Sequence, residues 1–209
     1  MFNNYMKFDN IIPLGDHCAA AFILKDLGLR KKAYPFDWTN HAGGIMKTSI
    51  HKNIFLLRRL LRYGNPKKCS EFYIGNAIEY GNHKTNHGIQ FPHELENAQI
   101  TNEKYKRRFD RLYNDIICGF KNLYIIITRK GDVDQDFVND LEHLLVFHNS
   151  ESKILFISGN ENTIATSTDN FIFKYIKYDY LEEIHGNKWY QYDEFFHKDI
   201  KNYLIEFLQ

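Results

Sequence analysis

A thiol, an imidazole and a carboxylate are the minimum set for nucleophilic acyl chemistry, and this chain offers each in a suggestive local setting. Cys18 follows Leu14-Gly15-Asp16-His17, between the apolar pair Ile11–Ile12 and an Ala-rich run. That order predicts a strand, a tight turn and then a helix, with the thiol at the helix start. Unpaired N–H groups and the positive end of the dipole stabilise a thiolate there. The alternative for Cys18 is a small apolar residue packed beneath the helix. Among ten histidines, His93 stands out in Phe91-Pro92-His93-Glu94, where Pro92 stiffens a loop after a strand-like segment. Glu94 is adjacent and is a weak orienter, because neighbouring side chains point apart. His17 touches Cys18 in sequence but has poor geometry for a base, which leaves it a lining role. Asp16 reads as a helix cap ahead of a substrate contact.

Two further positions belong to the same candidate site. Asp37 lies in Pro35-Phe36-Asp37-Trp38, where a stiff ring and two large apolar side chains bury the carboxylate unless it accepts hydrogen bonds or meets a cation. It either braces the loop or orients the histidine, with Trp38 lining the pocket. Arg129 follows the apolar run Leu123–Thr128, at the strand end where ligands collect in parallel sheets, so it could bind an anionic group or form an ordinary ion pair.

The elements that must position these residues follow from periodicity. Ala19, Phe22, Ile23 and Leu27 recur at helical spacing, and Gly28 stops the helix. A helix over 45–63 carries Ile50, Ile54, Leu57, Leu60 and Leu61, and ends at Gly64-Asn65-Pro66. A third, from about Asn102 to Cys118, buries Tyr105, Phe109, Leu112 and Ile116. Leu123–Thr128 and Lys153–Ser158 are continuous apolar runs of strand length, which predicts strands buried on both faces of a parallel sheet. Between them a helix capped by Asp132 or Asp134 carries Phe137, Leu141, Leu144 and Leu145. The run after Asn170 reads as another strand, and Glu194–Leu208 as a closing helix with Ile200, Leu204 and Phe207. The expected architecture is a single layered α/β domain over 1–209, with a central, mainly parallel sheet flanked by helices. Near 67–95 an irregular, aromatic-rich insertion is expected, whose short pieces EFYI, AIEY and GIQF suit either a small set of strands or an irregular excursion.

LGDHC, a short helix and LGLRKKAYPFDW together resemble the opening of an uncharacterised family described as papain-like cysteine peptidases, in which LG-x-x-C precedes a helix and a Pro-Phe-Asp-Trp motif. FPHE at Phe91–Glu94, the basic helix from Tyr105 and LYIIITRKG from Leu123 extend the likeness. The resemblance implies a cysteine peptidase or hydrolase with Cys18 as nucleophile and His93 as its base, and it implies a papain-like fold. The parallel βα pattern of the second half points instead to a layered sheet. A shorter likeness is to CoA-binding acetyltransferases of bacterial capsule biosynthesis. It implies transfer of an acyl group to a cell-surface polysaccharide or its precursor, with CoA or acyl-CoA met by Arg129 or the basic Lys104–Arg111 face. A third reading is a non-catalytic module using the aromatic segment Phe72–Phe91 to bind a carbohydrate or protein.

Composition bounds the rest. At 209 residues, 44% hydrophobic and 16% aromatic, the chain can bury a sizeable core. A formal net charge of +1 argues against nucleic-acid binding through bulk positive charge. Three cysteines do not make a disulfide framework, and neither a secretory h-region nor an eighteen-residue apolar run occurs, so a soluble cytoplasmic protein is expected. His83 and His87 are four apart but sit in a Gly- and Asn-rich loop without paired cysteines. No metal and no required cofactor are expected, and the substrate is a small molecule, glycan or peptide.

Overall fold

A computed structural model describes residues 7–15, 18–37, 40–41, 46–64, 74–79, 82–85, 89–91, 97–129, 133–163, 165–186 and 188–209. Its centre is a four-stranded, all-parallel sheet. The strands are β1 (Asn10–Pro13), β6 (Asn122–Thr128), β7 (Lys153–Ser158) and β8 (Phe171–Tyr175), in that spatial order. Register runs Ile12 to Tyr124, Ile126 to Phe156 and Phe156 to Phe173. Pro13, which lacks an N–H, is tolerated because β1 is an edge strand.

Every residue of β6 is buried, as a continuous apolar run predicts. The two faces of the sheet serve two separate cores. On one face Ile12, Tyr124, Ile126, Ile154 and Phe156 pack with α2 (Met46–Tyr63), α3 (Ala98–Ile117) and α4 (Gln135–Val146). On the other, Leu123, Ile125, Ile127, Leu155 and Ile157 pack with α1 (Ala19–Asp26) and α6 (Trp189–Leu208). This three-layer α/β arrangement is the one expected from the sequence.

The helix stripes match their periodicity, with instructive exceptions. Ile50, Ile54, Leu57 and Leu60 of α2 are buried, as are Tyr105, Phe109, Leu112 and Ile116 of α3. Asp134 is the cap of α4, accepting from the Phe137 N–H at 2.9 Å. α3 begins earlier than its apolar stripe, because Asn97 caps it by accepting from the Ile100 N–H. α6 likewise starts five residues before Glu194. In α1 the buried positions are Ala19, Ala20, Ala21, Ile23 and Leu24, whereas Phe22 is 43% exposed and faces α6. A short helix, α5 (Glu182–His185), precedes α6.

The segment near 67–95 takes the small-set-of-strands form where described. It forms β3 (Ile74–Glu79), β4 (Asn82–Thr85) and β5 (Ile89–Phe91), which pair antiparallel. The loop after Trp38 contributes β2 (Asn40–His41), which pairs antiparallel with β5 and completes a second sheet in the order β2-β5-β4-β3. The described strands that follow it are β6, β7 and β8, all parallel, so the layered reading holds over the papain-like barrel.

Beyond β7 the backbone makes a close approach at the carboxyl edge of the sheet. A Cβ on Gly159 would lie 2.6 Å from both the Arg129 carbonyl oxygen and the Tyr178 Cβ. Neither can swing aside, since one is backbone and the other is fixed at its own Cα. Gly159→Ala is therefore expected to destabilise the protein by about 1–3 kcal/mol, the usual cost of overpacking. A urea midpoint lowered at unchanged slope checks this.

Candidate active site

Cys18 occupies the N-cap position of α1, with φ −69° and ψ −6°, and its side chain makes no capping hydrogen bond. Its carbonyl accepts from the Phe22 N–H at 2.9 Å, closing the first turn of the helix. The helix thus starts at Ala19, with Cys18 in the place the sequence suggested for Asp16. The thiol residue is partly exposed. It follows the carboxyl end of β1, the edge at which parallel sheets collect their ligands. The turn below it is held from the other layer, where buried Asn53 of α2 donates to the Gly15 carbonyl at 2.7 Å. At its far end α1 stops at Gly28, whose φ of +69° suits glycine, and the Leu29 N–H returns to the Leu24 carbonyl.

Asp37 is wholly buried, and its contacts are those of a brace. Its Oδ2 accepts from Arg30 Nε at 3.0 Å, from Arg30 Nη2 in a short contact and from the Tyr34 N–H at 3.0 Å. Burial pushes the Asp37 carboxyl above the usual carboxylate range, while Arg30 and the Tyr34 N–H pull it back. The loop it closes is tied down by a second cluster. Lys32 Nζ bonds Asn10 Oδ1 at 2.7 Å and Asp115 at 2.8 and 2.9 Å. The Tyr34 hydroxyl donates to Asp115 at 2.7 Å, and burial holds the phenol protonated. Arg111 reaches the Ala33 carbonyl in a short contact. Tyr34 and Phe36 belong to the core on the α2–α3–α4 face, whereas α1 packs on the opposite face. Asp37 thus makes the brace contacts through Oδ2, while its buried Oδ1 has no hydrogen-bond partner among the described residues. A cleft of about 120 Å³ lined by Phe8, Leu29, Lys31 and Lys32 lies at the amino end of β1, away from Cys18.

Arg129 stands just beyond β6, at the same edge as Cys18. It is not left facing solvent, because Nη2 bonds Asp193 of α6 at 2.5 Å and the guanidinium lies 5.9 Å from the Tyr178 ring centroid. Asp193 is only 7% exposed, and burial and a hydrogen bond to Asp193 both raise the Tyr178 pKa. The sequence allows Arg129 an ion pair but does not point to Asp193 as the partner or to its burial. The only signal is that Asp193 recurs one turn before His197 and two before Lys201, on the face of α6 that meets α1.

Of the expected site residues, the structure thus places Cys18 and Arg129 at the carboxyl edge and Asp37 in a separate brace. Asp16, His17, Trp38, His93 and Glu94 lie outside the described residues. Among the described residues no three acidic, histidine or cysteine side chains group as metal ligands, and no helix is long and apolar enough to cross a membrane.

Residues 9–60, which hold β1, Cys18, α1 and the Asp37 brace, match the model of the family described as "Putative papain-like cysteine peptidase (DUF1796)". The chain is also 29% identical over 155 residues to an uncharacterized protein of Acanthamoeba polyphaga mimivirus, an alignment covering 65% of this chain and 69% of the viral protein. No solved structure matches.

The brace yields a test with a defined sign. Removing the Asp37 side chain takes from the part-buried Arg30 and the Tyr34 N–H the acceptor they share, so Asp37→Ala should cost about 3 kcal/mol in urea unfolding. Because the folded carboxyl titrates above its ordinary 3.8, its contribution is fully present below that pH and lost as pH rises through the folded value. The margin of wild type over Asp37→Ala is thus expected to be largest below pH 3.8 and to shrink as pH rises through the folded value. A margin that grows with pH would contradict this.

Proposed function

We propose that the protein is a cysteine-dependent acyl-transfer enzyme of the hydrolase class, with Cys18 as nucleophile. The observation that supports it best is the position of Cys18, a partly exposed thiol at a helix start on the carboxyl edge of a parallel sheet. That position falls within the residues matching the cysteine peptidase family. In the reaction the thiolate attacks a substrate carbonyl carbon, and the first N–H groups of α1 lie beside the developing oxyanion. The scissile C–N or C–O bond breaks and the leaving group takes a proton from an imidazolium. Water then attacks the thioester, the C–S bond breaks and the thiol is restored. The reaction so written needs no cofactor.

The same thioester could instead be formed from acyl-CoA and passed to a sugar hydroxyl, which is the alternative reading. Arg129 gives it no support, since its guanidinium is already engaged by Asp193. A panel of peptide, ester and acyl-CoA substrates, followed by mass spectrometry of the acylated enzyme, separates the two by which compound acylates Cys18. Iodoacetamide at pH 7 is expected to modify Cys18 about tenfold faster than the exposed Cys118. Equal rates, or full turnover in Cys18→Ser, would sink the proposal.

A further inference from the structure

We infer that His197 is the imidazole that serves the Cys18 thiol, with Asp193 and Arg129 as its positioning residues. This rests on Cys18 being the nucleophile and names the partner that reading leaves open.

The argument is one of register between two helices. α1 and α6 pack side by side and run in the same direction, and their contacts climb together. Asp26, at the end of α1, receives Lys201 Nζ at 2.5 Å. The same ammonium stands 5.7 Å from the Phe22 ring centroid, one turn earlier on α1. Phe22 in turn meets His197, one turn earlier on α6, with ring centroids 6.1 Å apart. Residues four apart share a helix face and are separated by about 6 Å along the axis. One more turn back takes Phe22 to Cys18, and takes the span from His197 to Lys201 to the span from Asp193 to His197. Cys18 is therefore level with His197 and Asp193.

The sheet gives the same answer independently. Asp193 is fastened to Arg129, which follows the carboxyl end of β6, and Cys18 follows the carboxyl end of β1, the strand beside it. The helix ladder and the sheet edge converge on one place.

The chemistry of the cluster fits the role. Asp193 gives Oδ2 to Arg129, while its enclosed Oδ1 has no hydrogen-bond partner among the described residues. Asp193 lies one helical turn before His197 on the same face of α6, and its Oδ1, which makes no hydrogen bond among the described residues, leaves its charge to act on the ring at a distance. Among the described residues, the other charged or titratable groups facing this part of α6 are Lys201 on the helix itself, Asp26 on α1, and Arg129 and Tyr178 at the sheet edge. His197 takes the proton of the Cys18 thiol, giving a thiolate and an imidazolium, and returns it to the leaving amine or alcohol as the C–N or C–O bond breaks.

The test is the pH profile of Cys18 alkylation by iodoacetamide in the full chain, read by peptide mass spectrometry with Cys118 as internal reference. Wild type should retain fast modification down to about pH 6, because a paired thiol ionises well below the ordinary 8.5. His197→Ala and His197→Gln, each checked for native circular dichroism, should lose about tenfold or more of the rate at pH 6 and show a midpoint shifted upward. Added imidazole should restore part of the loss in His197→Ala, and Asp193→Asn should shift the midpoint in the same direction by less. A wild-type profile in both folded His197 variants, or the loss appearing in His93→Ala instead, would overturn the inference and leave Cys18 as nucleophile intact. An ordinary thiol profile in wild type would overturn both.

Discussion

Burial of β6 on both faces is the constraint from which the rest of the molecule follows. A seven-residue strand with no exposed position needs a core on either side, and the two cores here draw on different parts of the chain. α2, α3 and α4 cover one face, while the first and last helices cover the other. With its neighbours parallel to it, β6 also aligns the carboxyl ends of β1, β6, β7 and β8 along one edge. The thiol helix, the buried Arg129–Asp193 pair and the close approach at Gly159 all lie along that edge.

The amino end of the sheet is built differently. There Asn10, Lys32, Tyr34, Asp115 and Asn122 form a continuous polar cluster in which Asn10 Nδ2 also reaches Asn122 Oδ1 at 2.9 Å. Nearly every donor and acceptor is used within the protein, so the cluster fixes the Arg30–Asp37 loop to α3 and the sheet. Asp37 belongs with this loop by its contacts, although it is close to Cys18 in sequence. Sequence proximity put both residues in one candidate site, and the sheet puts them on opposite layers.

Much of this was legible before any coordinates. Leu123–Thr128 and Lys153–Ser158 declare themselves because a doubly buried strand has no polar side, and the stripes of α2 and α3 declare themselves by spacing. What escaped has physical reasons. β2 is two residues long, too short for any alternation to register, and its partner β5 lies nearly fifty positions away. α6 begins ahead of Glu194 with an aromatic turn whose Tyr190 is exposed, so residue type there does not mark a buried face. Phe22 looked like a core residue by type, yet it covers the seam between two helices, which a periodicity cannot distinguish from an interior. The pairing of Arg129 with Asp193 joins a strand end to a distant helix, and no local pattern encodes such a contact.

The seam between α1 and α6 has a consequence for how the protein comes into being. Lys201 and Asp26 are 175 residues apart in sequence, so α1 gains its lateral neighbour only after a long stretch of intervening chain has been made and collapsed. Until then Phe22 and the turn at Cys18 face water, and contacts of such long loop closure carry a late entropic cost. A nascent chain held on the ribosome would carry α1 and Cys18 without α6 beside them, so this seam is among the last contacts to form.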